Sequence, residues 1–90
     1  MNINDYKGIA KKEYNQLYEL IATMKFENAY DNFFGFNLNV EGGYFDVNFC
    51  TICVTVNRTS DGLCVLGDFI DVYDVETEYP ILEHYKVSEL

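Results

Sequence analysis

The sequence is short of several residue types and patterns, and each shortage excludes a class of protein. Tryptophan is absent, proline occurs once, and lysine and arginine together number six in 90 residues. No apolar run is long enough to cross a bilayer, and the N-terminus is too polar for a secretory signal. A membrane protein is therefore not expected. The length predicts a single acidic domain over residues 1–90, and three cysteines without an export signal predict that it is cytoplasmic.

Residues that carry catalysis are also scarce. His84 is the one histidine, Ser60 and Ser88 are the two serines, and no local pattern links them. Neither Walker-type nor dinucleotide-binding glycine spacing occurs, and Gly42-Gly43 is too short to cradle a phosphate. We therefore predict a protein that is not an enzyme, has no catalytic residue and no cofactor, and carries His84 at its surface.

Three cysteines include one pair with the spacing of metal and redox sites, Cys50-Thr51-Ile52-Cys53. Such pairs bind metal from turns or helix starts, where both sulfurs converge on one point. This pair falls in a β-rich run, where residues three apart point to opposite faces of a sheet. Cys64 and His84 form no second pair, so we predict reduced thiols without a metal ion.

Acidic residues are plentiful and unevenly distributed. Fifteen acids against six bases give a formal net charge of −9. Residues 1–25 contain four lysines against three acids, whereas residues 26–90 contain twelve acids against Arg58 and Lys86. Such a surface repels nucleic acid and anionic lipid and attracts basic proteins, although acidity also serves simple solubility.

Residues 5–24 are predicted to form an amphipathic helix, with Asn4 or Asp5 as its N-terminal cap. Its apolar residues recur at alternating spacings of four and three, which places them on one stripe. The stripe comprises Ala10, Tyr14, Leu17, Ile21 and Met24, widened by Ile9, Tyr18 and Leu20. The polar stretch 27–32 is predicted to end this unit.

Three strands are predicted after the helix. Residues 34–40 alternate apolar and polar side chains, and a hairpin turn follows at 41–43. Residues 44–57 change their apolar phase near Phe49-Cys50, which predicts a β-bulge or, alternatively, a strand buried on both faces.

A turn at residues 57–62 precedes the third strand, from Leu63 to about Val75, with a similar break at Gly67-Asp68. Residues 80–90 are predicted to form a short C-terminal helix or an edge strand. The expected fold is α+β, with the N-terminal amphipathic helix packed on a three-stranded antiparallel meander.

The most acidic stretch lies between residues 68 and 79. If it is extended, Asp74, Glu76 and Glu78 share one face at steps of about 6.6 Å, comparable to successive backbone phosphates. Tyrosines flank this row, and tyrosine supplies much of the contact energy at interfaces. The candidate partner-binding residues are Asp68, Asp71, Tyr73, Asp74, Glu76, Glu78 and Tyr79. The alternative is a solvated edge strand, charged to prevent strand pairing.

A resemblance to known proteins is carried by the opening Met1-Asn2-Ile3-Asn4-Asp5, the closing Ser88-Glu89-Leu90, and the size, acidity and helix-plus-meander layout. On these features the chain resembles the small acidic inhibitors encoded by phages, in particular anti-CRISPR proteins of the DNA-mimic type. It implies a mode of action in which carboxylates replace phosphates against a groove lined with lysine and arginine. The Phe- and Cys-rich middle of the chain departs from that pattern.

Together these features predict an acidic, non-enzymatic binding protein that inhibits a basic partner, such as a CRISPR effector or another nuclease, without binding nucleic acid or membrane itself. An antitoxin or immunity protein against a basic toxin is the first alternative. The second is a homo-oligomeric accessory subunit, for example a homodimer, whose charge serves only solubility.

Overall fold

The computed structural model describes residues 2–34 and 43–90 and shows an α+β fold. Two helices precede four strands: α1 (Ile3–Ile21), α2 (Phe26–Phe34), β1 (Tyr44–Phe49), β2 (Ile52–Arg58), β3 (Cys64–Tyr73) and β4 (Pro80–Lys86). The strands form one antiparallel sheet in the order β1-β2-β3-β4, and a 3₁₀ turn at Val87–Glu89 follows β4. The α+β class is therefore confirmed, but the sheet has four described strands instead of three.

Helix α1 begins two residues earlier than predicted because Asn2 caps it. The Asn2 side chain accepts a hydrogen bond from the Asp5 backbone N–H at 3.0 Å, and the Asp5 carboxylate accepts one from the Asn2 N–H at 3.2 Å. This reciprocal pair satisfies two backbone donors that the first turn leaves without partners. Asp5 is the third helical residue of a capping box, so the predicted cap at Asn4 or Asp5 is wrong.

One narrow stripe of α1 packs on the sheet. Ala10, Leu17 and Ile21 are buried, which confirms the centre of the predicted stripe. The prediction that Ile9, Tyr18 and Leu20 widen this stripe is wrong, because all three side chains are exposed. None of the described helices combines the length and the apolar character that a membrane crossing requires.

The segment predicted to end the helical unit instead forms the second helix, α2. Phe26 and Ala29 are buried, and Tyr30 and Phe33 pack against the core, so the apolar spacing is helical despite the polar residues between them. The rings of Phe26 and Tyr30 lie 5.1 and 5.3 Å from the ring of Phe45 on β1. Phe34 ends α2, so a strand does not begin there. The rest of that predicted strand, and residues 41 and 42 of its turn, lie outside the described residues.

The change of apolar phase at Phe49-Cys50 marks a chain reversal instead of a bulge. Phe49 pairs with Ile52, so Cys50 and Thr51 form the two-residue turn of a hairpin between β1 and β2. A two-residue loop shifts the inward-facing set by one residue, which is the shift that the sequence contains. Both the predicted bulge and the predicted strand buried on two faces are therefore wrong.

Strand β3 confirms the break predicted at Gly67-Asp68. Val54 pairs with Ile70 and Val56 pairs with Leu66, so three residues of β3 lie opposite Thr55 alone. A Cβ atom on Gly67 would lie 3.3 Å from the Thr55 carbonyl oxygen, which explains the glycine at this close approach.

The predicted end of β3 at Val75 is two residues too late, because the strand stops at Tyr73. For residues 80–90 the edge-strand alternative is confirmed over Pro80–Lys86. The core lies between the helices and one sheet face, whose buried residues are Phe45, Val47, Ile52, Val54, Val56, Leu66, Ile70, Val72 and Leu82.

Candidate functional site

The sheet face opposite the helices, here called the outer face, carries carboxylates on three of the four strands. Asp46 lies on β1, Asp71 on β3 and Glu83 on β4. The register pairs Asp46 with Thr55 and Asp71 with Cys53, so side chains distant in sequence share one face. The sequence expectation included Asp71 but missed Asp46 and Glu83, which only strand register brings into this group.

Two of these carboxylates are held by neutral donors. Asp46 accepts a hydrogen bond from the Thr55 hydroxyl at 2.6 Å. Asp71 accepts one from the backbone N–H of His84 at 2.8 Å. A neutral donor orients a carboxylate without cancelling its charge, so both groups remain ready to accept from a cationic partner.

A bulge in the edge strand β4 supplies the N–H that Asp71 uses. Between the pairs Val72–Leu82 and Ile70–Tyr85, both Glu83 and His84 lie opposite Asp71. His84 has φ +48°, in the left-handed region that few L-residues adopt. The bulge places the exposed His84 ring against Phe69, with ring centroids 4.2 Å apart and the planes inclined by only 6°.

These side chains border a shallow pocket of about 270 Å³ on the outer face. Its walls include the carboxylates of Asp46, Asp68 and Asp71, together with the stacked rings of Phe69 and His84. Small-molecule sites typically occupy about 300–1,000 Å³, so this pocket is of a size to take one side chain of a partner protein.

The pKa shifts of neighbouring groups reflect the negative charge of this part of the sheet. Burial raises the pKa of the Cys53 thiol, and the charges of Asp46 and Asp71 raise that pKa further. Burial likewise raises the pKa of the Tyr73 hydroxyl, with Asp71 next in effect. No cation among the described side chains contributes to either shift, and Cys53 stays a protonated, weakly nucleophilic thiol at neutral pH.

Beyond β3 the chain turns, so the predicted row of phosphate-like charges does not form. The Asp74 carboxylate accepts from the N–H groups of Glu76 and Thr77 at 2.8 and 3.1 Å. It also accepts from the Tyr6 hydroxyl at 2.9 Å, which ties the turn to α1. Asp74 thus closes this turn with its own side chain.

These hydrogen bonds lower the pKa of Asp74, with the Thr77 N–H as the largest cause and the Tyr6 hydroxyl next. Glu76 and Glu78 are exposed on the same turn, and Tyr79 is exposed beside them. Of the seven predicted site residues, Asp68, Asp71 and Tyr73 therefore lie on β3, and the other four lie in the β3–β4 turn.

The cysteine pair differs from expectation in one respect. Cys50 is exposed in the β1–β2 turn with φ +54°, so it does not lie inside a strand, whereas Cys53 is half-buried on β2. All three cysteines are free thiols in the structure. Within residues 2–34 and 43–90, no three side chains of histidine, cysteine, aspartate or glutamate are placed to hold a metal ion together.

The outer face carries Asp46, Asp68, Asp71 and Glu83, and the β3–β4 turn carries Glu78 and Glu76, the latter beside Tyr6 and Ile9 of α1. We call these six carboxylates, all of them exposed except the half-buried Asp71, the acidic surface. No protein-family model, no curated protein and no solved structure matches the chain.

Proposed function

We propose that this protein is a non-enzymatic inhibitor that binds a basic, nucleic-acid-handling protein, such as a CRISPR effector or another nuclease, through the acidic surface. The observation that carries the proposal is the gathering of carboxylates from three strands onto the sheet face that neither of the described helices covers. Asp46 and Asp71 are oriented there by neutral donors, and the described lining of the pocket between them contains no lysine.

The distribution of charge between the two layers supports a directional interaction. Helix α1 packs on the sheet face that carries the core, and it exposes Lys11 and Lys12 to solvent. Another lysine, Lys7, lies 4.9 Å from the ring centre of Tyr85 and is engaged there. Residues 2–34, which contain both helices, carry four lysines against five acids and are nearly neutral, so a basic partner is attracted mainly to the sheet side, which orients the encounter.

Fixed carboxylates match the requirements of a phosphate surrogate. A nucleic-acid groove offers lysine and arginine at positions set by the phosphate backbone, and charge-assisted hydrogen bonds to them are stronger than neutral ones. The hydrogen bonds to Asp46 and Asp71 reduce the rotamer freedom that each side chain loses on binding. Binding of this type blocks nucleic acid by occupying its site, without chemistry.

The proposal is tested by capture from a nuclease-treated bacterial lysate on the immobilised protein. A neutral variant, Asp46→Asn, Asp71→Asn, Glu76→Gln and Glu78→Gln, serves as the matched bait, because asparagine still accepts the Thr55 and His84 hydrogen bonds. We expect basic proteins that bind the parent at low salt, bind the neutral variant weakly, and leave the parent when short duplex DNA is added.

Equal recovery on both baits would contradict the proposal. A captured protein that duplex DNA fails to displace would also contradict it, because its contact with the acidic surface would then not overlap its nucleic-acid site. An antitoxin against a basic toxin gives the second outcome unless the toxin itself binds nucleic acid.

A further inference from the structure

The pocket on the outer face has a composition that the acidic surface as a whole does not share. It combines three carboxylates with an aromatic wall of Phe69 and His84, and two backbone bulges shape it, one of which includes the positive φ of His84. The bulge at Gly67–Phe69 lies opposite Thr55, the bulge at Glu83-His84 lies opposite Asp71, and His84 has a positive φ.

The aromatic wall is accessible and rigid. Phe69 keeps 42% of its surface exposed although it lies in the longest strand of the sheet. The parallel stack on the His84 ring holds the phenyl ring in one orientation. The exposed part of this ring lies beside carboxylates in the same pocket and is therefore accessible to a ligand that carries a positive charge.

The carboxylates leave acceptor positions toward this wall. Asp46 accepts from the Thr55 hydroxyl, and Asp71 accepts from the His84 N–H and also from the Tyr73 hydroxyl. An ionised carboxylate has about four acceptor positions, so both groups keep acceptor capacity for a cation. Asp68 lines the same pocket from the β3 bulge. Their joint charge excludes phosphate, carboxylate and other anions as occupants.

A guanidinium group meets all of these conditions. It is planar, so it stacks on an aromatic face, and its fork of N–H donors pairs with carboxylates at the same time. An ammonium group meets the charge condition but lacks the planar stacking surface. The size of about 270 Å³ suits one such side chain.

We infer that the outer-face pocket binds an arginine side chain of the partner, with the guanidinium stacked on the Phe69–His84 rings and paired with Asp46 and Asp71. This inference rests on the proposed function and deepens it, because it names the residue that the acidic surface recognises. It makes the protein selective for arginine over lysine, which net charge alone does not do.

The test uses two defined probes, an arginine homopeptide and a lysine homopeptide of equal length. Each is titrated into the isotope-labelled protein while amide chemical shifts are followed. We expect the arginine peptide to bind about two- to fivefold more tightly, the factor that one exposed cation–π contact supplies. The largest shifts should fall on Cys53, Phe69, Asp71 and His84.

Two variants localise the effect. Phe69→Leu keeps the apolar bulk but removes the ring, and Asp46→Asn keeps the Thr55 hydrogen bond but removes a charge. Phe69→Leu should abolish the arginine preference while both peptides still bind in a salt-dependent manner. Asp46→Asn should weaken the arginine peptide more than the lysine peptide, and it provides the test if Phe69→Leu does not fold.

The outcomes separate the two proposals. Equal affinity for both peptides in the parent, or an arginine preference that persists in the folded variants, would overturn the pocket while leaving the acidic surface intact. Failure of both peptides to bind even at low salt would overturn the proposed function together with the pocket.

Discussion

The fold is stabilised by two carboxylates, Glu13 on α1 and Asp74 in the β3–β4 turn, although their sequence context does not distinguish them from surface acids. Glu13 on α1 is 7% exposed and accepts from the Thr51 backbone N–H at 3.1 Å and from the Thr51 hydroxyl. Thr51 is in the β1–β2 turn, and its carbonyl accepts from the Tyr73 N–H of β3 at 2.8 Å. Glu13 therefore joins the helix layer to the hairpin.

Replacing Glu13 by alanine should lower the free energy of unfolding by about 1–3 kcal/mol, because the Thr51 donors lose their acceptor in a partly buried site. Urea unfolding followed by circular dichroism measures the change. Glu19 is exposed on the same helix, so Glu19→Ala is the matched control and should change stability little. An equal loss in the two variants would show that the Glu13–Thr51 contact is not structural.

The Tyr6–Asp74 hydrogen bond gives a second residue-scale prediction. Removing the Tyr6 hydroxyl with Tyr6→Phe should raise the pKa of Asp74 part of the way to its usual value, because the Thr77 N–H, the larger cause, remains. The Asp74 pKa is lower in the folded state, so its stabilising effect is present above the unfolded-state pKa and is lost as pH falls through the folded-state pKa.

Carboxyl chemical shifts in an acid titration report this pKa in both proteins. An unchanged Asp74 pKa in Tyr6→Phe would show that the hydroxyl does not bind this carboxylate in solution. The pKa of Asp74 should not change in the control variant Lys11→Gln, because no lysine contributes to the lowering of this pKa.

At the scale of the elements, the sequence pattern predicted features that depend on the spacing of apolar residues, and it missed a hairpin that depends on the chemistry of its turn. The centre of the α1 stripe and the break at Gly67 followed from apolar spacing and from a glycine inside a strand. The β1–β2 hairpin was missed because Cys50-Thr51 contains no glycine, asparagine or proline to mark a turn. Asp46 was missed as a site residue for the same reason, because the β1–β2 turn is what places Asp46 opposite Thr55 on the outer face.

Helix α2 was missed because polar side chains occupy its exposed positions. Phe26 and Tyr30 share one face of α2 because both rings contact Phe45, and this contact is visible only in the folded structure. Tertiary packing therefore decided a segment whose composition favours a loop. The pairing of Asp71 with Cys53 likewise required the observed register.

Two glycines provide an element-scale prediction with opposite signs. Gly8→Ala should raise the free energy of unfolding by about 0.5–1 kcal/mol, because the new methyl group meets nothing within 4 Å and alanine favours the helix. Gly67→Ala should lower it, because its Cβ would lie 3.3 Å from the Thr55 carbonyl oxygen, in backbone that is fixed by strand pairing. Thermal unfolding of both proteins measures the difference, and stabilisation by both changes would contradict the close approach at Gly67.

At the scale of the whole molecule, the two layers differ in charge and in role. The helix layer contains most of the lysines, whereas the sheet and its turns contain most of the carboxylates. Like charges held close together oppose folding, so evolution for stability alone would not gather them on one face. The neutral variant defined above should therefore fold as well as the parent, or slightly more stably.

The central claim is that the acidic surface binds a basic partner by charge. The measurement that tests it most directly is the affinity of a captured partner for the parent, the neutral variant and a Lys11→Gln/Lys12→Gln control across a salt titration. Each lost charge-assisted contact is worth about 1.5–3 kcal/mol, so losing two or more should weaken binding about a hundredfold or further. The neutral variant should also show a shallower dependence on salt, and the lysine control should bind at least as well as the parent. If the neutral variant bound as tightly as the parent at every salt concentration, the account would be wrong.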